Sequence, residues 1–127
     1  MPLTRAQIDQ IYTHILTGIF GMLVGSQLDI ALRQHFLDSP DELRTLTDDI
    51  IEDLLYDDNS DAANVRTDIR LMVYHKRTLQ SFTRFLLYRT TTDDGSPESV
   101  EDWLAISNDD FLAYHRSPIG VLWLSVP

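Results

Sequence analysis

The sequence predicts an all-α fold: a compact bundle of five to seven mostly short helices around one long central helix, with an extended apolar C-terminal tail. Residues that favour helix starts recur before short apolar runs. Within those runs, apolar residues return at three- and four-residue spacing, which is typical of amphipathic helices. One segment, 62–90, contains neither Gly nor Pro. We expect a single domain over 1–118 and a tail over 119–127.

The first two helices are predicted from caps and glycines. Thr4 is a suitable N-cap for a helix whose apolar residues run from Ile8 to Leu23. Glycines crowd the end of this run, so the helix is expected to stop or bend between Gly18 and Gly25. Ser26 then caps a helix over residues 27–36, with Phe36 among its inward residues.

Two short helices and a loop follow. Ser39 before Pro40 is a typical helix start, because proline fits the first helical position. Thr47 caps a second short helix, which we predict to extend through Leu54 and Leu55. The acidic segment Asp57–Asp61 has the composition of a polar turn.

The segment 62–90 is predicted to form the long central helix. Leu71, Met72, His75, Leu79, Phe82 and Leu86 recur there at helical spacing and would face the core. We interpret His75 as a core histidine. The polar, Gly- and Pro-containing segment 91–97 ends this helix.

Two short helical segments complete the predicted bundle. Trp103 lies in a short apolar turn over 100–106 and is expected to be buried. Ser107 and Asp110 have the spacing of a capping box, and Ser117-Pro118 is expected to end the helix that they open. The tail beyond is apolar and β-prone, and would pack on its own domain or on another chain.

Composition limits the classes of function. The 127 residues include no cysteine, which excludes disulfides, thiolate metal sites and cysteine nucleophiles. Twenty acids against ten bases give a net charge of −10, which opposes binding of the whole chain to nucleic acid or an anionic membrane. We therefore expect neither as a partner.

No targeting or spanning segment is predicted. Residues 1–7 lack the charged leader and apolar run of a signal peptide. The apolar stretch 15–24 is about half the length that a spanning helix needs, which is roughly twenty residues. The cellular compartment is not predicted.

Charge is distributed unevenly along the chain. Segment 38–61 holds ten acids and one base, and 93–110 holds seven acids and no base. If 62–90 is one helix, four arginines lie within roughly 40° of one another opposite the apolar face. We call Arg66, Arg70, Arg77 and Arg84 the arginine stripe. Acids of the flanking segments could neutralise it, an acidic surface of another copy or partner could bind it, or it could contact nucleic acid, which the acidic surroundings disfavour.

No catalytic, metal or cofactor site is predicted. Asp57, Asn59, Asp61 and Asp68 have the ligand spacing of a calcium loop, but Ala62 stands where that loop needs Gly. The four histidines are far apart in sequence and give no metal-ligand spacing. Adjacent carboxylates point about 100° apart on a helix, which suits an acid–base pair poorly.

Three segments contain a recurring order of helix caps and apolar positions. Their residues are Leu43, Leu46, Thr47, Ile50, Leu54, Tyr56, Asp57, Asp58, then Tyr74, His75, Leu79, Phe82, Phe85, Tyr88, then Pro97, Asp102, Trp103, Ile106, Asp110, Phe111, Tyr114, Ser117, Pro118. Together, over about residues 28–118, they resemble the small helical, gag-like region upstream of the enzymes in copia-type retroelement polyproteins of diatoms, here without a linked enzyme domain or zinc knuckle. The resemblance implies a non-enzymatic module for protein contact and assembly.

The sequence thus predicts a non-enzymatic protein–protein interaction or assembly module without a cofactor, which self-associates into a homo-oligomer. The alternative is a virion structural protein such as a phage head–tail adaptor, which it resembles in composition and style. Two contact surfaces are predicted, the arginine stripe and the tail. The predicted partner-binding residues are Arg66, Arg70, Arg77, Arg84, Val121, Leu122, Trp123 and Leu124.

Overall fold

The structure, a computed structural model, describes residues 3–59, 61–91 and 95–115. Within these ranges the chain is mostly helical, as predicted, but it also contains a two-stranded sheet, so the all-α class holds only approximately. The elements in chain order are α1 (Arg5–His14), a π-helical segment (Ile15–Ile19), α2 (Gln27–Gln34), α3 (Pro40–Arg44), α4 (Asp48–Asp53), β1 (Leu55–Asp58), β2 (Arg66–Arg70), α5 (Val73–Arg89), α6 (Val100–Leu104) and α7 (Asn108–His115).

The predicted helix caps are confirmed. In each case a side-chain oxygen accepts a hydrogen bond from the main-chain N–H three residues further on, which satisfies a donor that the helix cannot pair. These capping residues are Thr4, Ser26, Ser39, Thr47 and Ser107.

The first helix ends in the glycine-rich segment, as predicted. After α1 the backbone widens into the π-helical segment, and Gly21 then adopts a left-handed φ of 72°. Gly18 has a different role, because a Cβ there would lie 2.5 Å from Nδ1 of His14. The missing side chain lets the His14 ring lie across Gly18, with its Nε2 2.7 Å from the carbonyl oxygen of Ile106.

The prediction of one continuous helix over 62–90 is wrong. Residues 66–70 form β2, which pairs antiparallel with β1, and α5 begins at Val73 with Met72 in the extended N-cap conformation. Leu55 was predicted in a helix and Asp57 in a loop, but both lie in β1.

The physical reason is a two-residue alternation that competes with the helical pattern. Val65, Thr67, Ile69 and Leu71 alternate with polar or long side chains, and three of the four are β-branched, which favours a strand. The pairing places Tyr56 opposite Ile69, and an irregularity between Tyr56 and Asp58 accompanies the left-handed φ of 53° at Asp68.

Side chains at the C-terminal end of α2 and its cap, rather than a third strand, cover the outer edge of β1. The Gln34 amide donates to the carbonyl oxygen of Asp57 at 2.5 Å and accepts from its N–H at 2.8 Å. The neighbouring His35 ring bonds to the carbonyl oxygen of Leu55. These contacts satisfy main-chain groups that an open sheet edge would leave unpaired.

The core is built around the inner face of α5. Phe82 is fully buried and meets the Phe20 ring edge-on, with centroids 5.0 Å apart. Phe111 of α7 and Trp103 of α6 also contact Phe82, at 6.3 Å each. Burial of Trp103 is confirmed, and the aromatic contacts join the π-helical segment, α5, α6 and α7.

A buried carboxylate ties α1 to α2. Asp29 is 2 % exposed and accepts hydrogen bonds from Tyr12 Oη (2.7 Å), the Gly25 N–H (2.7 Å) and Arg33 Nε (2.8 Å). The Arg33 guanidinium also lies over the Tyr12 ring at 5.0 Å and within 3.7 Å of Asp38. Burial and the neighbouring carboxylate raise the pKa of Tyr12. The negative charge is compensated by this arrangement, as burial requires.

The tail over 119–127 and the helix end at Ser117-Pro118 lie outside the described residues, and the domain boundary stays a prediction. None of the helices in the described ranges combines the length and apolarity needed to cross a membrane.

We expect Tyr12→Phe to lower the free energy of unfolding by about 1–2 kcal/mol, because the buried Asp29 loses one of its donors. Urea denaturation measures the effect. Tyr74→Phe is the matched control, since Tyr74 is largely exposed, and should leave stability unchanged. Equal effects of both substitutions would contradict this account of the buried carboxylate.

Candidate interaction surface

The arginine stripe does not exist as predicted, because its four residues lie on two different elements. Arg66 and Arg70 lie on β2, whereas Arg77 and Arg84 lie on α5. Arg77 and Arg84 are seven residues apart on one helix and therefore share a face, as predicted. The other two are exposed on the strand.

Acids of α4 neutralise part of the positive charge within the fold. Arg84 Nη2 lies 2.5 Å from an Asp48 carboxylate oxygen, and Lys76 Nζ lies 3.1 Å from Glu52. For Arg84, the alternative in which acids of a flanking segment neutralise the stripe is therefore the one that the structure supports. These two pairs also fix α4 against α5.

The remaining arginines flank an exposed apolar run at the start of α5. Met72, Val73 and Tyr74 are 56 %, 63 % and 58 % exposed, although Met72 was predicted to face the core. Val73 and Arg77 are one helical turn apart, and Arg70 precedes the run by two residues. Among the described residues, no ion pair involves Arg70 or Arg77. We call Arg70, Met72, Val73, Tyr74 and Arg77 the basic–apolar patch.

The second predicted surface, the tail residues Val121, Leu122, Trp123 and Leu124, lies outside the described residues. The structure therefore neither places these side chains nor brings them to the patch. Their assignment to partner binding stays a prediction.

Phe36 is an exposed aromatic residue, although the sequence predicts that it faces inward from its helix. It is 83 % exposed and has a φ of 57°, in the left-handed region. The Leu37 N–H donates to the Leu32 carbonyl at 2.8 Å and the Phe36 N–H to the Arg33 carbonyl at 3.2 Å, so α2 ends in a Schellman-like turn. Glycine usually occupies this position, and a bulky side chain there carries a conformational cost. Periodicity alone could not reveal this, since Phe36 follows the last helical turn.

A surface cavity of about 260 Å³ lies beside the second half of α5. Arg44 of α3 forms one wall, where its Nη2 donates to the Pro97 carbonyl at 2.5 Å and its guanidinium lies over the Trp103 ring at 5.2 Å. The Arg44 Nε–H is buried and has no acceptor among the described residues. The other lining residues are Thr83, Arg84, Leu86, Leu87, Thr90 and Ser96.

The residues with calcium-loop spacing form a hairpin held by its own hydrogen bonds. An Asp57 carboxylate oxygen accepts from the Asp68 N–H at 3.0 Å, and Asp61 accepts from the Ala63 N–H at 3.0 Å and the Asn64 amide at 3.1 Å. These bonds lower the pKa of Asp61. Across the part of the chain that the structure describes, no group of three or more potential ligands could hold a metal ion.

The histidines contact different parts of the fold. His115 Nδ1 lies 2.6 Å from the Ser81 hydroxyl, whereas His14 and His35 bond to main-chain carbonyls. His75, interpreted as a core histidine, is half-buried, and burial lowers its pKa. Its Nδ1 is buried and has no partner among the described side and main chains.

We expect Phe36→Gly to raise the free energy of unfolding by about 0.5–1 kcal/mol. The substitution relieves a left-handed strain of about 1–2 kcal/mol, partly offset by the larger freedom of glycine in the unfolded chain. The reverse change at Gly25, whose φ is 87° and where a Cβ would meet nothing within 4 Å, is the control. Gly25→Ala should destabilise, and a loss of stability in Phe36→Gly would show that the exposed ring supports the fold.

We expect His75 to make the chain less stable as pH falls from about 7.5 to about 5.5. Its folded pKa is below that of the unfolded chain, so the unfolded state binds the proton first and gains on acidification. Urea denaturation at both pH values should show a smaller loss in His75→Gln than in the unsubstituted chain. Identical losses would contradict a lowered pKa at this position.

Comparison with known proteins does not indicate a function for this surface. No family model matches the chain, and neither do curated proteins or solved structures. The resemblance to a retroelement gag-like region therefore stays a prediction.

Proposed function

We propose that this chain is a protein–protein interaction and assembly module that self-associates without a cofactor, and that the basic–apolar patch is a contact surface. The exposed run Met72–Val73–Tyr74 between Arg70 and Arg77 carries this proposal. Three consecutive large apolar or aromatic residues in water are unfavourable unless a partner covers them.

Aromatic and arginine side chains are the residues that contribute most at protein interfaces. Tyr74 offers a large rigid surface, and Arg77 lies three residues later on the same helical side. The first N–H groups of α5 also lack intrahelical partners, and Met72 at the N-cap provides no side-chain cap. A partner that supplies carboxylates would satisfy these donors and both arginines.

Charge complementarity favours another copy of this chain as that partner. The net charge is −10, yet the patch is positive, so the remaining surface is strongly acidic. Glu101 of α6 and Asp109 of α7, for example, are exposed and form no ion pair among the described residues. Contact between such acids and the patch relieves repulsion in both copies.

We expect the double substitution Arg70→Glu and Arg77→Glu to weaken self-association at least tenfold, because the patch then repels an acidic surface. Sedimentation velocity over a range of concentrations measures it. The control reverses two other exposed arginines, Arg5 and Arg66, and changes the net charge equally. If both double variants weaken association equally, total charge is responsible and the patch is not the contact.

Salt and truncation separate the patch from the predicted tail surface. At about 1 M salt the screening length falls to roughly 3 Å, so an association that depends on the arginines of the patch should weaken. A truncation after Pro118 tests the tail, and a change in size with unchanged helicity would assign it to a partner contact. A chain that stays monomeric at every concentration would contradict the proposed self-association.

A further inference from the structure

We propose that Phe36 of one copy inserts into the cavity beside α5 of a second copy, so that the chain assembles head to tail. This inference rests on the proposed self-association and adds a second apolar contact to that of the basic–apolar patch. It gives one explanation for two features of the same chain, the exposed Phe36 ring and the cavity beside α5.

Phe36 has the properties of an interface residue rather than of a core residue. Its ring is almost fully exposed, and the backbone holds it in a left-handed conformation that glycine would adopt more easily. Outlying backbone conformations of this kind cluster at binding sites. Burial in a partner would remove the exposed ring from water.

The cavity fits an aromatic side chain in size and lining. Its volume of about 260 Å³ exceeds the roughly 150 Å³ that suffices to bind benzene. Leu86 and Leu87 are the apolar residues of its lining, beside Thr83 and Thr90. The hydroxyl groups of both threonines donate to main-chain carbonyls of α5, so they are already satisfied within the helix.

The positive charge at the cavity favours binding of the acidic segment that follows Phe36 in another copy. Arg44 and Arg84 both line the cavity. Arg84 is already paired with Asp48, whereas the buried Arg44 Nε–H has no acceptor among the described residues. Asp41 and Glu42 follow Phe36 by five and six residues and are exposed. A ring followed closely by carboxylates therefore matches a cavity that combines apolar side chains with the Arg44 guanidinium.

Phe36 and the cavity are two different sites, so a head-to-tail contact lets each copy bind one neighbour through Phe36 and another through its cavity. Such a contact generates a ring when the rotation closes and an open filament when it does not. The second copy therefore supplies the aromatic side chain, Phe36, that fills the cavity.

Complementation between two variants tests this directly. Phe36→Gly removes the inserted ring, and Leu87→Glu blocks the cavity from an exposed position on α5. We expect each variant of the full chain alone to self-associate at least tenfold more weakly. An equimolar mixture should associate more tightly than either, because one variant retains the cavity and the other retains Phe36.

Two variants at other exposed apolar residues, Leu23→Ala and Ile50→Glu, are the matched controls and should associate like the unsubstituted chain. If the unsubstituted chain associates and the mixture recovers nothing, the Phe36 contact is wrong while the proposed function stands. If the unsubstituted chain is monomeric up to its solubility limit, both fail. Circular dichroism of each variant confirms that folding is unchanged.

Discussion

The antiparallel pairing of β1 with β2 determines where this protein places its positive charge. It takes residues 66–70 out of the helix that follows and makes α5 begin at Val73. Arg66 and Arg70 consequently lie on a strand, and Arg77 lies in the first turns of a helix. Without the pairing, Met72 and Val73 would lie inside a helix rather than at its exposed start. The pairing itself depends on α2, because Gln34 and His35 satisfy the outer edge of β1.

The acids of this chain have several separate roles. Asp29 is buried and fully engaged with three donors, so it holds α1, α2 and the intervening turn together. Asp48 and Glu52 fix α4 against α5 through ion pairs at the surface, where each pair contributes about 1 kcal/mol or less. Asp41 and Glu42 remain exposed and form no ion pair among the described residues. The structure thus uses some carboxylates for stability and leaves others available to a cation on another molecule.

Most helix starts could be predicted from the sequence, because capping is a local interaction between residues three apart. Thr4, Ser26 and Ser39 follow that rule without help from the rest of the fold. The strand β2 could not be separated from a helix by periodicity alone, since Leu71, Leu79, Phe82 and Leu86 also fit a helical pattern. The signal available in the sequence was the alternation of Val65, Thr67 and Ile69 with polar or long side chains. The exposure of Phe36 and the cavity at Arg44 depend on long-range packing and on a turn geometry that residue types do not specify.

The central claim is that the start of α5 is covered when copies of this chain associate. Its first amide groups, at Val73 and Tyr74, have no intrahelical acceptor, so they exchange hydrogen with water rapidly unless a partner covers them. Hydrogen exchange of the full chain, measured at low and at high protein concentration, tests this most directly. We expect exchange over residues 72–75 to slow as the protein concentration rises. Exchange there at the same rate at both concentrations, in a chain that does associate, would contradict it.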